Sequence, residues 1–223
     1  MRARIAEVFE SVQGEGIYTG EKQIFVRFFG CNLSCRYCDT KQYGFMECEL
    51  EELLEKIKSY KGNYHSVSFT GGEPLLQNDF LKEILKLTHA QGYKNYLETN
   101  GTLAFSLKEV IDDVDIVAMD VKLPSSTGMG NLWWMHHKFL EIASSKEVFI
   151  KAVICESTTQ DDLKEAINLI KKTNPKAILV LQPNSGENSL ALRRKTEDFQ
   201  KLCQTEGVSA AVMPQVHKAL GLK

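Results

Sequence analysis

The arrangement of apolar and polar positions along the chain predicts strands that alternate with helices. Short runs rich in β-branched and aromatic residues are typical of strands, because those side chains fit a pleated, half-buried surface. Such runs occupy residues 5–10, 23–29, 66–69, 95–99, 115–121, 147–154, 177–182 and 208–213. Between most of these runs, apolar residues recur three or four positions apart, which is typical of an amphipathic helix. This helical spacing occurs in residues 50–60, 79–92, 158–175 and 189–207.

Two of the helical segments also have recognisable ends. The segment 79–92 stops at Gly92, a residue type that often terminates helices. The segment 158–175 opens with threonines and acidic residues and closes with lysines and a proline. Because strands that alternate with helices pair in parallel through crossovers, we expect an α/β sheet or barrel. In both architectures ligands bind at the carboxyl ends of the strands, so we expect the chemistry there.

Length and charge narrow the class of protein. The chain has 223 residues and a formal net charge of −2. This length suits one domain over residues 1–223, and the charge gives no reason to expect nucleic-acid or membrane binding. No apolar run is long enough to span a bilayer, and acidic residues lie where a signal peptide needs an apolar core. We therefore expect a cytoplasmic protein, in which clustered cysteines are ligands or catalysts more often than disulfides.

Three of the six cysteines lie in "GCNLSCRYCDT", residues 30–40, which we call the cysteine segment. They are Cys31, Cys35 and Cys38, with the spacing C-x3-C-x2-C. A structural zinc ion needs four protein ligands, and the cysteine segment offers no fourth. An iron–sulfur cluster bound by three thiolates keeps one iron open to a substrate or cosubstrate. A zinc site and a chance group of core cysteines are the alternatives.

The spacing of the three cysteines resembles that of the radical S-adenosylmethionine (SAM) enzymes. In that family they bind a [4Fe–4S] cluster, and SAM at the open iron is cleaved to a 5′-deoxyadenosyl radical. Later strand ends fit the resemblance with "TGGEP" (70–74), "ETNG" (98–101) and "DVKLPSS" (120–126). By this likeness the residues that would bind SAM are Gly71, Gly72, Glu73, Asn100, Lys122, Ser125 and Gln182. A salt-bridged lysine and a turn serine are the alternatives for Lys122 and Ser125.

A wider set of segments, in order along the chain, resembles the 7-carboxy-7-deazaguanine synthase family. They are "ESVQGEG", "FVRFFGCNLSCRYCDT", "TGGEPLLQ", "ETNGT", "DVKLPSS" and "PQVHK", and they extend from residue 10 to residue 218. The resemblance implies a carbon–nitrogen lyase of queuosine-type 7-deazapurine biosynthesis. It would convert 6-carboxy-5,6,7,8-tetrahydropterin to 7-carboxy-7-deazaguanine by radical ring contraction with loss of ammonia. We also expect an incomplete, partial TIM-type barrel with a parallel sheet, because 223 residues leave little room for eight full repeats.

The carboxylate and the donor-rich ring of that substrate suggest partners within these segments. Arg27 can clamp a carboxylate through two hydrogen bonds, and its place among aromatic residues requires a partner. Glu15 can accept hydrogen bonds from ring N–H groups, with Gln13 completing that edge. The resemblance adds Thr70 and His217 as substrate contacts. A surface arginine and a flexible glycine-rich turn are the alternatives for Arg27 and Glu15.

The end of the cysteine segment has two interpretations. The resemblance implies that the Thr40 hydroxyl binds Mg²⁺, a hard ion that prefers oxygen ligands. The sequence Asp-Thr is also common in turns and at helix N-caps, so Asp39 can shape the loop. Tyr37 stands where many members of the family have tryptophan.

The resemblance also implies partners. It predicts a homodimer, to which residues 133–137 could contribute, and an electron donor such as flavodoxin. Residues 131–143 form an amphipathic segment whose aromatic side chains we expect on the sheet or against a second subunit, and the other three cysteines are expected to be buried free thiols. Two alternative functions are a glycyl-radical-enzyme activase acting on a protein partner and a non-catalytic, zinc-stapled binding module.

Overall fold

The computed structural model describes residues 1–40, 44–187, 189–216 and 221. Strands and helices alternate through most of this part of the chain. The strands are β1 (Arg2–Val12), β2 (Lys22–Phe28), β3 (Met46–Glu49), β4 (Ser66–Gly71), β5 (Asn95–Thr99), β6 (Ile116–Asp120), β7 (Glu147–Ile154), β8 (Leu179–Pro183) and β9 (Ala210–Val212). The helices are α1 (Leu50–Ser59), α2 (Asn78–Ala90), α3 (Ala104–Val110), α4 (Pro124–Thr127), α5 (Trp133–Ala143), α6 (Gln160–Thr173) and α7 (Leu190–Thr205).

Every predicted strand and helix occurs in the structure, and among the strands and α-helices of the described residues three short ones were missed. Gly92 follows α2 with φ +82°, and its N–H donates to the His89 carbonyl at 2.9 Å, which confirms the predicted helix end. The missed elements are β3, α3 and α4. They have four, seven and four residues, and elements this short do not display a hydrophobic period.

The strands of the described chain form one sheet in the order β3-β1-β2-β4-β5-β6-β7-β8-β9. Each neighbouring pair from β2 to β9 is parallel, whereas β1 runs antiparallel to both β2 and β3. Within the described ranges, β3 and β9 are the two edges, so the sheet is open. The predicted α/β fold with an incomplete barrel is confirmed.

The two faces of the sheet differ in composition. One face is buried and forms the main core with the helices, through residues such as Val26, Phe69 and Ile150. On the opposite face, Tyr96 and Phe149 pack with Tyr18 near the amino ends of the strands. Polar side chains occupy the carboxyl ends of this second face. The space for a ligand therefore lies at the strand tips, as the fold class predicts.

Outside the strand tips, the structure tests three further expectations. Trp133 of α5 packs against the main core, while the neighbouring Trp134 is 67% exposed. Cys48, Cys155 and Cys203 are buried free thiols, as predicted. No helix in the described ranges is long and apolar enough to cross a membrane.

Candidate active site

A cavity of about 470 Å³ lies at the carboxyl ends of the strands, beside the cysteine segment. Most of the site residues predicted from the sequence line it. They are Gln13, Glu15, Arg27, Cys31, Cys35, Cys38, Thr40, Thr70, Gly71, Gly72, Asn100, Lys122 and Gln182. These residues come from the ends of different parallel strands, from the cysteine segment and from the loop after the antiparallel strand β1, so only the tertiary structure brings them together.

The three thiols of the cysteine segment all line this cavity. Cys35 is half-buried, and burial raises the pKa of its thiol. In the described part of the chain, no three His, Cys, Asp or Glu side chains are placed to hold a single metal ion. Nor does the described cavity lining include a fourth cysteine or a histidine. A cluster bound by these three thiolates would therefore keep one iron without a cysteine or histidine ligand from the lining.

Gly71 and Gly72 allow the tip of β4 to contact the start of the cysteine segment. A Cβ atom at Gly71 would lie 2.2 Å from the Phe28 carbonyl oxygen, and one at Gly72 would lie 1.9 Å from the Gly30 carbonyl oxygen. The Gly72 N–H donates to the Phe28 carbonyl at 3.1 Å. The two glycines were predicted to let a ligand approach the backbone closely. In the structure, the space that their Cβ atoms would fill is occupied by backbone atoms of Phe28 and Gly30.

Glu73 is fully buried below the cavity rather than in its lining. Its carboxylate accepts hydrogen bonds from the Asn100 N–H at 2.7 Å, the Thr99 hydroxyl at 2.9 Å and the Leu75 N–H at 3.1 Å. Burial raises the pKa of Glu73 to about 7, although these donors oppose the shift. Its visible role is to join the tips of β4 and β5.

Amide side chains join the cysteine segment to the tip of β5. Asn100 donates from Nδ2 to Asn32 Oδ1 at 2.8 Å, and Asn32 donates to the Thr102 hydroxyl at 3.0 Å. The same Nδ2 lies 3.8 Å from Cys31 Sγ. The predicted cofactor residue Asn100 therefore also positions the first cysteine.

Cys35 and Arg36, in the middle of the cysteine segment, contact the end of α4 and the turn that follows it. The Arg36 N–H donates to the Thr127 carbonyl at 2.9 Å, and Met129 Sδ lies 3.9 Å from Cys35 Sγ. A Cβ atom at Gly128 would lie 2.5 Å from the Arg36 guanidinium. This turn therefore covers Cys35 with a thioether and with backbone.

His136, which the sequence placed only in an amphipathic segment, connects two strand tips. Its Nδ1 lies 3.0 Å from the Gly101 carbonyl, and its Nε2 lies 3.1 Å from the Lys122 backbone N–H. Burial lowers the pKa of His136 to about 4. The ring is therefore neutral, with the proton on Nδ1 because Nε2 must accept.

Lys122 forms one wall of the cavity together with two other side chains. Its ammonium lies 2.9 Å from Asp120 Oδ2 and 5.5 Å from the centre of the Tyr37 ring. Burial alone would lower the pKa of Lys122, but Asp120 raises it well above its ordinary value. The salt-bridged alternative thus applies to this residue, and its contact with SAM stays a prediction.

Three buried polar atoms in this cavity have no hydrogen-bond partner within the described residues. They are the Tyr37 hydroxyl, Asp120 Oδ1 and Gln182 Oε1. A buried polar atom without a partner is costly, so these atoms fit a ligand that supplies hydrogen-bonding groups. The prediction that Gln182 faces the cofactor site agrees with this placement.

A second group of charges in the cavity lining is centred on Lys151. Lys151 forms an ion pair with Glu15, and its ammonium lies 3.5 Å from Asp120 Oδ2. Burial alone would lower the pKa of Lys151, but Glu15 and Asp120 raise it above its ordinary value. Sequence reasoning did not assign Lys151, although a lysine inside the apolar run "EVFIKAVI" was a signal of the same kind as Arg27.

Gln13 and Thr70 both donate hydrogen bonds to Glu98, which was not among the predicted site residues. Glu98 accepts hydrogen bonds from Gln13 Nε2 at 2.8 Å and from the Thr70 hydroxyl at 2.9 Å. Gln13 is 3% exposed and also accepts the Glu15 N–H at 3.0 Å. Two predicted substrate residues therefore depend on Glu98 for their orientation.

Arg27 has the partner that its surroundings require. Its Nε donates to Glu7 Oε1 at 2.8 Å, and its guanidinium lies 5.6 Å from the centre of the Phe9 ring. Both partners are on β1, the antiparallel neighbour of β2. The contacts with Glu7 and Phe9 therefore fix the position of the Arg27 side chain in the cavity lining.

Besides Glu73, Ser125 is a predicted site residue that does not line the cavity. Ser125 lies in the first turn of the short helix α4, where its hydroxyl and its N–H both donate to Asp162. Its contacts follow the turn-serine alternative. His217 lies outside the described residues, whereas Gln215 of the same "PQVHK" segment lines the cavity.

The open parallel sheet and the cysteine segment define the class of protein. A family model described as the Radical SAM superfamily matches residues 25–191, and the chain belongs to that superfamily. Two solved structures share the fold. The crystal structure of QueE from Escherichia coli is 21% identical, with a TM-score of 0.67 over 96% of this chain and 94% of that one. SuiB from Streptococcus suis, bound to the precursor peptide SuiA, is 18% identical, with a TM-score of 0.63 over 86% of this chain and 48% of that one.

Curated relatives narrow this class to one family. The 7-carboxy-7-deazaguanine synthase of Geobacter sulfurreducens is 36% identical, over 98% of this chain and 97% of its own length. The enzymes of the same name from Archaeoglobus fulgidus and Methanothermobacter thermautotrophicus are 36% and 33% identical, over 100% of this chain and 100% and 99% of theirs. The chain belongs to the 7-carboxy-7-deazaguanine synthase family.

Proposed function

We propose that this protein converts 6-carboxy-5,6,7,8-tetrahydropterin to 7-carboxy-7-deazaguanine with loss of ammonia, as a radical SAM carbon–nitrogen lyase. Substrate and product differ by one ammonia, so the overall reaction needs no net oxidant. The observation that carries the proposal is one cavity that joins the three thiols to Arg27, Glu15 and Gln13. The full-length relatives support the same activity and favour neither the activase nor the zinc-binding module.

The cysteine segment is the site for the cluster. Cys31, Cys35 and Cys38 would bind it, and the described cavity lining offers no fourth cysteine or histidine. When bound, the [4Fe–4S] cluster and SAM supply the one-electron chemistry that produces the hydrogen-abstracting radical. The chain itself fixes the thiols through the Gly71–Gly72 contact and the hydrogen bond of Asn32 to Asn100.

The wall that contains Lys122 is the proposed SAM site. The Tyr37 hydroxyl, Asp120 Oδ1 and Gln182 Oε1 are buried polar atoms without partners in the described chain, and ligand hydroxyl and amino groups would satisfy them. Gly72 and Asn100 line the same side. We retain Glu73 as an indirect member of this site, since its hydrogen bond to the Asn100 N–H sets the tip of β5.

The opposite side of the cavity fits the pterin. Arg27 presents a cation to the carboxylate of the substrate. Glu15, Gln13 and Thr70 present polar atoms to the ring, which is rich in donors and acceptors. Phe9 and Phe25 line the cavity beside them and would exclude water from the reacting carbon atoms.

Mg²⁺ at Thr40 is the third part of the proposal. Thr40 lines the cavity next to Asp39, and a hydroxyl with substrate oxygens suits an ion that keeps several oxygen ligands. His217 stays a proposed substrate contact because its neighbour Gln215 is in the cavity. Residues 1–223 would form a single radical SAM domain around the one sheet.

The proposal includes partners and a compartment. A reducing compartment such as the cytoplasm would keep the three cluster thiols reduced. A small electron carrier such as flavodoxin would reduce the cluster. A homodimer, with the exposed Trp134 of α5 near its contact, completes the proposal.

Anaerobic reconstitution and assay test the function. The purified protein is loaded with iron and sulfide, then mixed with SAM, dithionite, Mg²⁺ and the carboxytetrahydropterin. We expect a brown protein and the formation of 7-carboxy-7-deazaguanine with one ammonia per product. Cys35→Ala should abolish cluster assembly and SAM cleavage, whereas the matched Cys203→Ala should retain both, because Cys203 is buried in α7 away from the cavity.

The two alternatives give different results in the same assay. SAM cleavage without any deazaguanine product would contradict the proposal and favour the activase. A colourless protein that binds one zinc ion tightly would contradict the radical chemistry itself.

A further inference from the structure

The side chain of Gln215 connects both sides of the cavity. Its Nε2 donates to Glu15 Oε1 at 2.6 Å and lies 3.2 Å from Asp39 Oδ2. Glu15 belongs to residues 13–16, which we call the substrate loop, and Asp39 belongs to the cysteine segment. One amide group therefore lies between a proposed pterin ligand and the residue that precedes Thr40.

The orientation of this amide is fixed by a third contact. Gln215 Oε1 accepts a hydrogen bond from the Ser185 hydroxyl at 2.6 Å. Because the carbonyl oxygen is occupied by a donor, the NH₂ group must face the two carboxylates. The backbone is also fixed there, since the Val216 N–H donates to the Gly14 carbonyl at 2.9 Å.

The chemistry of the amide suits a coupling role. Two carboxylates that face each other repel, and a neutral donor between them reduces the repulsion without cancelling either charge. Lys151 already pairs with the other oxygen of Glu15. Lys151 and Gln215 therefore each contact one oxygen of Glu15, and Gln215 also links this carboxylate to that of Asp39.

From these contacts we propose that Gln215 is a positioning residue that couples the substrate loop to the cysteine segment. The inference rests on the proposed function, in which Glu15 binds the pterin and Thr40 binds Mg²⁺. Movement of Glu15 on substrate binding reaches Asp39 and thereby the adjacent Thr40 hydroxyl. Loss of the amide uncouples the two segments.

Hydrogen exchange of the protein without cluster tests the coupling independently of any activity. In Gln215→Met, which keeps the length of the side chain but removes its donors, amide exchange should rise at least threefold in both residues 13–16 and residues 36–40. Gln204→Met is the matched control, because Gln204 is exposed near the end of α7. Unchanged exchange in both segments, or a rise in only one of them, would overturn the proposal.

Kinetics of the reconstituted enzyme test the consequence. We expect Gln215→Met to raise the Mg²⁺ concentration for half-maximal turnover about tenfold and to lower kcat more than it raises KM for the pterin. Gln215→Asn should show the same change, because its shorter side chain cannot reach both carboxylates. This variant replaces Gln215→Met in the experiment if Gln215→Met fails to fold. An unaltered Mg²⁺ response in a folded variant would refute the coupling. If the wild type makes no deazaguanine, the proposed function fails while the exchange experiment still decides the role of Gln215.

Discussion

The two sides of the cavity are built by different kinds of contact. On the cluster side, which comprises the cysteine segment and the tips of β4 and β5, backbone hydrogen bonds and neutral amides predominate. Gly72 touches Gly30 there, and Asn100 bonds to Asn32. On the substrate side, which comprises the substrate loop, Lys151 and Gln215, charged groups predominate, and Lys151 also lies 3.5 Å from Asp120 of the Lys122 wall.

The difference follows from what each side would bind. Three thiolates on an iron–sulfur cluster already carry negative charge, so close packing and hydrogen bonds can position them, with the buried carboxylate of Glu73 joining the tips of β4 and β5. A polar substrate requires charge and hydrogen-bonding groups that are held in place but still free to interact. We infer that the cluster side is sensitive to steric change and the substrate side to changes of charge.

The largest effect is expected from Gly72→Ala on the cluster side. The new methyl group would lie 1.9 Å from the Gly30 carbonyl oxygen, which forces the two strand tips apart. We expect a loss of about 3 kcal/mol in the free energy of unfolding and at least a tenfold drop in bound iron after reconstitution. Guanidinium titration and iron analysis measure both. Gly130→Ala is the control, since nothing lies within 4 Å of that position; equal behaviour of the two variants would contradict the steric argument.

Lys151→Met tests the substrate side by removing a charge at similar volume. Glu15 and Asp120 would lose their shared cation. The Lys151 side chain is 15% exposed, so we expect roughly 2 kcal/mol of destabilisation, below the value for a fully buried pair, with iron binding retained. Lys138→Met, which breaks a surface pair with Glu141, should cost less than about 0.5 kcal/mol. Loss of iron in Lys151→Met would contradict the prediction that the charge of Lys151 serves the substrate side and not cluster binding.

Glu73 makes the stability of the cluster side dependent on pH. Its pKa is raised to about 7 in the folded protein, so the folded state keeps a proton that the unfolded chain releases. Stability must therefore fall as pH rises between the unfolded and folded values, by about 2 kcal/mol from pH 5 to pH 7. Urea unfolding at several pH values should show this slope in the wild type and a smaller one in Glu73→Gln. Parallel curves for the two proteins would rule out the ionisation of Glu73 as its source.

The smallest effect is expected from Tyr37→Phe. The Tyr37 hydroxyl is buried without a partner in the described chain, and the ring beside Lys122 is retained. The free energy of unfolding should change by less than about 0.5 kcal/mol, while the dissociation constant for SAM rises several-fold. Tyr60→Phe is the contrast, because its hydroxyl donates to the Val8 carbonyl at 2.9 Å and its loss should cost about 1 kcal/mol. A clear loss of stability in Tyr37→Phe with unchanged SAM binding would refute this assignment.

Much of the site was predictable because its residues lie directly after strands. The three cysteines could be found from their spacing, and the two glycines at the end of β4 and Asn100 after β5 from the family resemblance, while their places at strand ends indicated one site because parallel strands bring those ends together. Arg27 could be found because a charge among aromatic residues needs a partner. Lys151 could be found in the same way, because it is a lysine inside the apolar strand β7.

Other parts could not be predicted, because they depend on pairs that are distant in sequence. Glu15 and Lys151 are separated by 136 positions, and Glu15 and Gln215 by 200. Ser125 shows the opposite case. Its motif predicted a contact with SAM, whereas in the structure its hydroxyl donates a hydrogen bond to Asp162 of α6.

The sequence by itself determined the order of strands and helices, the three cysteines proposed to bind the cluster and the edge of the sheet at which chemistry would occur. These features follow from local periodicity, from ligand spacing and from the direction of parallel strands. Only the tertiary structure decided which polar side chains orient one another, because a hydrogen bond or ion pair depends on distances that the register of the sheet sets. Gln215 shows this most directly, since its role depends on three partners from three separate segments.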